Sequence, residues 1–339
     1  MRKLLFACLL CPIFSFAQNY TFKQLTATKN TSMRGLSVLD DKVAWVSGSS
    51  GYVGKTTDGG KNWQWTQPKG YEKLDFRDIQ AFDALKAIIV NAGSPAYILS
   101  TIDGGKTWRE VYKNTDSLIF LDGMDFWDHQ HGIVFGDPIK DKMQLLKTSD
   151  GGLTWQNIST NVKENMAVGE AGFAASGTTV RTGKGGKVWI ATGGSNSRIF
   201  TSNNFGGRWK AYKLPILQGE SSTGPFSIAF YDNRNGIAVG GNYLRDKENT
   251  NNVLVTKNGG KSWSKPNNQV SGFRSAVEYI DKNLAFATGS SGTDVSTDGG
   301  KTWKNISTLN FNALQKAKNG KLILLTGTKG QIYQLTVNP

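Results

Sequence analysis

The sequence predicts an all-β fold: a seven-bladed β-propeller whose ring is closed by the N-terminal strand. Three observations lead to it. An eight-residue box occurs six times in the 339 residues. Glycine and tryptophan are abundant, with 40 Gly and 10 Trp against 8 Pro, which is typical of short strands joined by tight turns. Apolar runs of strand length precede the boxes, without sustained helical periodicity.

The box begins with Thr or Ser, has Asp or Asn at its third position and ends with Trp. The third positions are 45, 47, 54, 54 and 40 residues apart. A period of roughly 40–50 residues with β-type flanks is typical of propellers, with one sheet per repeat. The third and last positions are Asp58, Asp103, Asp150, Asn204, Asn258 and Asp298, and Trp63, Trp108, Trp155, Trp209, Trp263 and Trp303.

The residue types of the box suit a structural turn. The Asp or Asn side chain accepts hydrogen bonds from backbone N–H groups, as in an Asx-turn. The glycines permit positive φ, and the Trp ring packs between sheets with its N–H available to a backbone acceptor. A Ca²⁺ loop would need several carboxylates, whereas each box has at most one. We therefore expect the box residues to be structural and expect no bound metal.

Each repeat is predicted to contain strands a, b, c and d, counted from the channel outwards, with the box between c and d. A seventh copy lacks both the box and strand d, and comprises residues 311–317, 322–326 and 331–336. The isolated strand at residues 20–28 has no a–b–c set before it. Pairing it with the seventh copy closes the ring and removes the free sheet edges. We therefore expect one propeller domain at residues 19–339.

The first eighteen residues have the order of a secretory signal peptide. Arg2 and Lys3 precede an apolar run at residues 4–14, and Ser15-Phe16-Ala17 forms a small-x-small cleavage site. We expect an exported protein, periplasmic or secreted, with no transmembrane segment once residues 1–18 are removed. A buried N-terminal strand and lipidation at Cys8 are the alternatives.

The charge indicates the kind of partner. The chain has 40 Lys and Arg against 26 Asp and Glu, a net charge of +14, or 38 − 26 = +12 without Arg2 and Lys3. This excess favours anionic partners. The lysines are scattered, and no dinucleotide or phosphate-loop fingerprint occurs, so we expect no nucleic acid and no cofactor. The expected partner is a protein or an anionic glycan of the cell envelope, bound by a monomer.

The boxes are identified as the Asp-box (BNR) signature. The segments MRGLSV at residues 33–38 and VAWVSG at residues 43–48 resemble the bacterial relatives of the photosystem II stability/assembly factor. The resemblance covers residues 19–339 and implies an Asp-box propeller. Photosynthetic members of that family are non-enzymatic assembly factors that hold a membrane subunit, so the resemblance implies a binding scaffold. Sialidases, sortilin-type receptors and xyloglucanases share the boxes, so the boxes by themselves indicate only the architecture.

The mouth of the channel at the start of the a strands is the predicted binding site, because the long irregular loops lie there. Closure brings repeats six, seven, one and two together and gathers three arginines, which suit a carboxylate or phosphate. The alternative is that each arginine pairs with a local acid, such as Arg77 with Asp75 or Asp78. The first positions of the seven a strands are Arg34, Arg77, Asp122, Ala174, Ser227, Arg274 and Asn312. The predicted ligand-binding set is Arg34, Arg77, Arg274, Asn312 and Tyr243.

Three acids on long loops are the catalytic candidates: Asp137, Glu170 and Glu220. A glycoside hydrolase needs two carboxyls at a fixed separation, although acids on loops are commonly only solvated. Two functions therefore stay open. The first is an exported, non-catalytic scaffold that binds a protein or an anionic ligand. The alternative is a carbohydrate-active enzyme of the glycosidase or sialidase type that uses carboxylates at the channel mouth.

Overall fold

The computed structural model describes residues 19–25 and 29–338. These residues form seven antiparallel sheets that follow one another along the chain, with two short 3₁₀ turns at Ser159–Asn161 and Lys184–Gly186. The prediction of an all-β, seven-bladed propeller is confirmed. The predicted signal peptide at residues 1–18 lies outside the described residues.

Four blades have four strands each in the order a, b, c, d. Blades one and two contain β2 (Met33–Val38), β3 (Ala44–Gly48), β4 (Val53–Thr56) and β5 (Gln64–Thr66), then β6 (Phe76–Ala81), β7 (Ala87–Asn91), β8 (Ala96–Thr101) and β9 (Arg109–Asn114). Blades three and six contain β10 (Leu121–Phe126), β11 (Gly132–Ile139), β12 (Lys142–Thr148) and β13 (Gln156–Asn157), then β22 (Ala276–Tyr279), β23 (Ala285–Gly289), β24 (Gly292–Ser296) and β25 (Lys304–Ser307).

The other three blades depart from that pattern. Blade four contains β14 (Glu170–Ala171), β15 (Val180–Gly183), β16 (Lys187–Gly194), β17 (Arg198–Ser202) and β18 (Lys210–Lys213). Blade five contains β19 (Thr223–Phe230), β20 (Gly236–Asn242) and β21 (Val253–Thr256), and blade seven contains β26 (Ala313–Lys316), β27 (Ile323–Thr326), β28 (Ile332–Asn338) and β1 (Asn19–Gln24). Inner strands of neighbouring blades touch; β2, for example, contacts β6 and β26.

The N-terminal strand closes the ring, as predicted. Strand β1 pairs with β28 from Asn19↔Asn338 to Gln24↔Tyr333. The Tyr20 ring packs edge-on against Phe286, with centroids 5.3 Å apart. Blade seven thus has its fourth strand, and its outer edge is covered. Residues 26–28 of the strand predicted at 20–28 lie outside the described residues.

Two strands differ from expectation. The inner strand of blade four begins at Val180 and not near Ala174, because Gly177 has a φ of 71° and turns the chain before the strand starts. The fourth strand of blade five is reduced to a single bridge between Val255 and Ser264. Pro266 follows two residues later and has no N–H to donate, so the ladder stops.

The boxes have one hydrogen-bonding pattern, shown here for blade two. The Thr101 hydroxyl donates to Asp103 Oδ1 (2.9 Å) and accepts from the N–H of Gly105 (3.0 Å). Asp103 Oδ1 also accepts from the N–H of Thr107 at 2.9 Å. Gly104 and Gly105 have φ of 79° and 83°, which disfavours any residue with a Cβ. The box therefore fixes the c–d turn through mutually satisfied groups, of which the Thr101 hydroxyl and the Gly105 N–H are buried.

The box tryptophans differ in their polar contacts. The indole N–H groups of Trp63, Trp209, Trp263 and Trp303 each donate to the carbonyl of the fifth box residue, at 2.9–3.2 Å. Those of Trp108 and Trp155 are buried without a partner. Burial of the ring is thus the common contribution of the last box position, and the N–H bond is not.

Replacing Thr101 with Val should lower the free energy of unfolding by about 1–3 kcal/mol, because the Gly105 N–H is then buried without an acceptor. Urea unfolding monitored by tryptophan fluorescence measures the change. Thr107→Val is the matched control, since its exposed hydroxyl bonds only Asp103 Oδ2. Equal losses in the two variants would contradict a structural role for the buried hydroxyl.

Deleting residues 19–24 should lower the free energy of unfolding by several kcal/mol, because β28 loses six paired residues and apolar burial. Thermal unfolding checks this, and Lys23→Ala, which keeps the strand backbone, serves as the control. A deletion variant that melts with the same midpoint as the control would show that the ring does not depend on β1.

Candidate functional site

The two ends of the channel are built differently. The box turns and the a–b turns lie together at one end, because a box N–H donates to the a–b turn of the same blade. Examples are Gly59 N–H to the Lys42 carbonyl (2.9 Å) and Gly259 N–H to the Arg234 carbonyl (2.9 Å). We call this end the box face. The d–a and b–c loops form the opposite end, which we call the long-loop face.

A cavity of about 440 Å³ opens on the long-loop face at the start of the a strands. We call it the aromatic pocket, because six aromatic rings line it. They are Phe120, Phe173, Phe226, Phe273, Phe311 and Tyr243. Phe226 is central to them: it stacks on Phe173 with centroids 3.9 Å apart and packs edge-on against Phe273 at 4.7 Å. The rings give the pocket an apolar wall into which charged groups project.

β-Bulges place four of the lining residues. The a–b register shifts at the start of blades one, two, three and five. The residues skipped by these shifts are Arg34, Arg77, Asp122 and Phe226, and all four line the pocket. A bulged residue leaves the ladder and its side chain is re-aimed. The same local irregularity, repeated in several blades, therefore gathers these side chains at one place.

Arg34 and Arg77 lie side by side, and each guanidinium group keeps N–H donors that bond no other described residue. Arg34 reaches across the mouth from blade one, and its Nη1 donates to the carbonyl of Ala175 at 3.0 Å. Arg77 pairs through Nε with Asp75 Oδ2 at 2.7 Å. Among the described residues, neither makes another hydrogen bond. Burial, and secondly the Arg77 charge, lowers the pKa of Arg34. An anion placed here would relieve that repulsion.

Arg274 and Asn312, also predicted to bind ligand, have different surroundings. Arg274 is fully buried and ion-paired with Asp294, with Nε to Oδ2 at 2.7 Å, so it is closed to a ligand. It lies ahead of β22, where no bulge turns it towards the channel. Asn312 does line the pocket, but its amide donates to the Met33 carbonyl at 3.0 Å and so ties blade seven to blade one.

A pair of carboxyls faces the two arginines. Asp122 is 2% exposed and neither of its oxygens makes a well-oriented hydrogen bond. Burial, and then the neighbouring Asp137 carboxyl, raises the pKa of Asp122 well above its usual range. Burial also raises the pKa of Asp137, whose Oδ1 accepts from the N–H of Gly172 at 2.7 Å. The pocket is therefore basic on one side and acidic on the other.

The remaining predicted residues are outside the pocket or at its rim. The Glu170 side chain is fully buried and accepts two bonds from Arg198, with Nη2 to Oε2 at 2.6 Å. Glu220 is exposed and pairs with Arg245 at 2.9 Å. Tyr243 is half-exposed and packs edge-on against Phe226 at the rim. The structure thus brings Arg34, Arg77, Asn312, Asp137 and Tyr243 together, but not Arg274, Glu170 or Glu220.

The pocket's phenylalanines are the lining residues that sequence reasoning missed. A signal for them exists, since a phenylalanine stands just before the first a-strand position in repeats two, four, five, six and seven. These are Phe76, Phe173, Phe226, Phe273 and Phe311. Four of the five line the pocket, while Phe76 packs in the core between blades.

The opposite mouth of the channel was also missed. It is a polar chamber of about 550 Å³ on the box face. The a strands contribute Gln80, Asp125, Arg181, Glu278 and Lys316 to it. Arg181 and Glu278 form an ion pair across blade five, with Nη2 to Oε2 at 3.3 Å. Asp125 accepts from the N–H of Thr182 at 2.7 Å, so it joins blade three to blade four at this end.

Residues 19–25 and 29–338 were searched for membrane-spanning helices and for groups of metal ligands. No helix there is long and apolar enough to cross a membrane. Within the same segments, no three His, Cys, Asp or Glu side chains are grouped so that they could hold a metal ion.

Asp122→Asn should stabilise the protein increasingly as the pH rises. Because its pKa is raised in the folded state, Asp122 contributes to stability below about pH 4, the ordinary pKa of an Asp. This contribution is lost as the pH rises through the folded-state pKa. Relative to the native chain, the variant should gain on the order of 1 kcal/mol or more between pH 5 and pH 8. Urea unfolding at both pH values measures this. The exposed Asp141→Asn is the control, and an equal change in both variants would contradict the assignment.

The comparisons with known proteins agree with this architecture. The family described as photosynthesis system II assembly factor YCF48 matches residues 15–117, and the BNR/Asp-box repeat matches residues 294–305. No curated protein matches the chain. A solved structure of YCF48 bound to D1 peptide superposes with a TM-score of 0.67 at 16% identity, covering 94% of this chain and 97% of that one.

Two further structures show how widely the fold is shared. YCF48 from Cyanidioschyzon merolae has a TM-score of 0.65 at 16% identity, covering 92% of this chain and 98% of that one. The GH74 xyloglucanase from Xanthomonas campestris has a TM-score of 0.61 at 14% identity, covering 93% of this chain and 53% of that one. Identities this low show the fold alone. The chain is a BNR/Asp-box β-propeller that resembles the photosystem II assembly factor YCF48.

Proposed function

We propose that this protein is an exported, non-catalytic scaffold whose aromatic pocket binds a segment of a partner protein that carries an anionic group. The observation that carries the proposal is the pairing of Arg34 and Arg77, with donors left free, inside a pocket lined by aromatic rings. Two adjacent guanidinium groups suit a carboxylate or a phosphate. The rings offer apolar surface to the side chains beside that group.

The surroundings of the pocket favour a protein over a small anion. The long-loop face exposes large apolar side chains, among them Val168 (98% exposed) and Leu244 (72%). The others on this face are Leu118, Tyr243 and Leu309. Exposed apolar side chains on the face that carries a cavity offer contact area to a protein partner. A peptide segment in the pocket would allow the rest of the partner to cover them.

The comparisons support the same class of function. One similar propeller is described as YCF48 bound to D1 peptide. That description concerns the other protein, and its peptide is not assigned to this chain. It supports a scaffold that binds a protein segment. Export rests on the predicted signal peptide at residues 1–18 and would place the partner in the periplasm or outside the cell.

The alternative, a glycoside hydrolase, has one observation in its favour: Asp122 and Asp137 are paired carboxyls with raised pKa values in a cavity. The other predicted acids do not support it. Glu170 and Glu220 are each occupied by an arginine. The acid pair is better suited to a cationic group of the bound segment.

The double variant Arg34→Ala/Arg77→Ala tests the proposal. The native chain and the variant are used as baits in the cell envelope fraction, captured proteins are identified by cross-linking and mass spectrometry, and the cross-linked segment is synthesised. Its binding free energy should weaken by about 1.5–3 kcal/mol for each charge-assisted hydrogen bond that the substitutions remove. The affinity should also decrease with salt.

Arg245→Ala is the matched control, because it removes an exposed arginine of the same face that is paired with Glu220 and Glu248 outside the pocket. Its affinity for the segment should match that of the native chain. Equal affinities of the native chain and the double variant, with both folded, would overturn the proposal. Release of sugar from a polysaccharide, abolished in Asp122→Asn, would favour the hydrolase.

A further inference from the structure

The box face carries features that the proposed function does not use. Exposed cations cluster on the turns of blades four and five: Lys184, Arg208, Arg234, Lys257 and Lys261. We call these five residues the basic sector. The turns that carry them are connected, since Asn233 Nδ2 donates to the Lys184 carbonyl at 2.9 Å. The pKa of the nearby Lys187 is lowered by burial and then by the Lys261 charge.

Few acids offset these cations. The boxes of blades four and five have Asn204 and Asn258 where the other four boxes have Asp. The only acid on the box and a–b turns of these two blades is Asp232, whose Oδ1 accepts the N–H groups of Arg234 and Asn235 at 2.7 Å each. Among the described residues, no lysine forms a salt bridge. The sector therefore has a net positive charge that is open to solvent.

Apolar side chains project from the same face in blades two and three. Ile102 is 72% exposed, Leu85 57% and Leu153 43%. Leu153 holds the sixth box position, where four of the boxes have Lys. Tyr231, half-exposed, lies on the a–b turn of blade five beside the basic sector. These are turn tips at one end of the blades, so they can meet one surface together.

The chain also enters the propeller at this face. Asn19 pairs with Asn338, at the end of β28 that lies nearest the box turns of blade one. The sequence before Asn19 includes the apolar run at residues 4–14. While that run is present, it is joined to the propeller on the box face.

We propose that the box face is a membrane-docking surface, with the basic sector on anionic lipid headgroups and Leu85, Ile102 and Leu153 in the interface. Each Lys or Arg near an anionic leaflet adds electrostatic attraction, and exposed apolar side chains add burial at the headgroup boundary. A soluble polyanion would use the cations alone. Docking in this way turns the aromatic pocket away from the bilayer, towards a partner.

Vesicle sedimentation of the full chain tests the proposal. Binding is measured on phosphatidylcholine vesicles and on vesicles that also contain phosphatidylglycerol, and the ratio of the two partition coefficients is compared among variants. This ratio cancels any contribution of the N-terminal apolar run. Arg208→Gln/Lys257→Gln/Lys261→Gln should lower the ratio at least about tenfold. The control Lys69→Gln/Lys140→Gln/Lys247→Gln removes three exposed cations from the long-loop face and should change the ratio about twofold or less.

A second pair of variants tests the apolar contacts. Ile102→Ser/Leu153→Ser should weaken binding to the anionic vesicles about fivefold or more, whereas Val168→Ser/Leu244→Ser on the opposite face should not. If the two triple variants lowered the ratio of partition coefficients equally, binding would depend only on net charge, and the proposal would be overturned. If Ile102→Ser/Leu153→Ser did not weaken binding to the anionic vesicles, and dextran sulfate bound the protein as tightly as those vesicles do, the basic sector would be a site for polyanions instead. The proposed peptide site lies on the other face, so its own test is unaffected.

Discussion

The pairing of β1 with β28 is the constraint on which the rest of the structure depends. Each blade buries its faces against two neighbours, and only a closed ring gives every blade two neighbours. Six residue pairs join the two ends of the chain, and Tyr20 packs the N-terminal strand against Phe286 of blade six. The closed ring fixes the distances across the channel, so Arg34 of blade one can reach the Ala175 carbonyl of blade four.

The repeat produces regularity at one end of the molecule and variety at the other. Box turns are uniform because the Thr or Ser, the Asp or Asn and the glycines satisfy one another within eight residues. The starts of the a strands are not constrained in this way, and β-bulges there vary from blade to blade. Binding groups gather where the repeat is least regular. Within the box face, the blades differ chiefly in charge, because the boxes of blades four and five have Asn where the other boxes have Asp.

The sequence was sufficient to predict the boxes, the number of blades and the closing strand, because each is a local pattern repeated at a fixed spacing. It also predicted that Arg34, Arg77 and Asp137 meet at one mouth. It could not show that Arg274 is buried while Arg34 and Arg77 line the pocket, because all three hold the same position of the repeat. Two features depend on tertiary contacts: the bulges that turn Arg34 and Arg77 out of the ladder, and the ion pair of Arg274 with Asp294 on β24, the third strand of the same blade. For the same reason the sequence could not show that Arg198 occupies the candidate Glu170.

We expect the ring to unfold as one cooperative unit held together by its closing strand. Native-state hydrogen exchange followed by mass spectrometry tests it most directly. Amides of β1 and β28 should exchange as slowly as those of the central strands β7 and β16, through global unfolding of the whole ring. Much faster exchange of the β1 and β28 amides, with the other blades still protected, would show that the β1–β28 pairing opens without unfolding of the ring. That result would contradict the expected cooperativity.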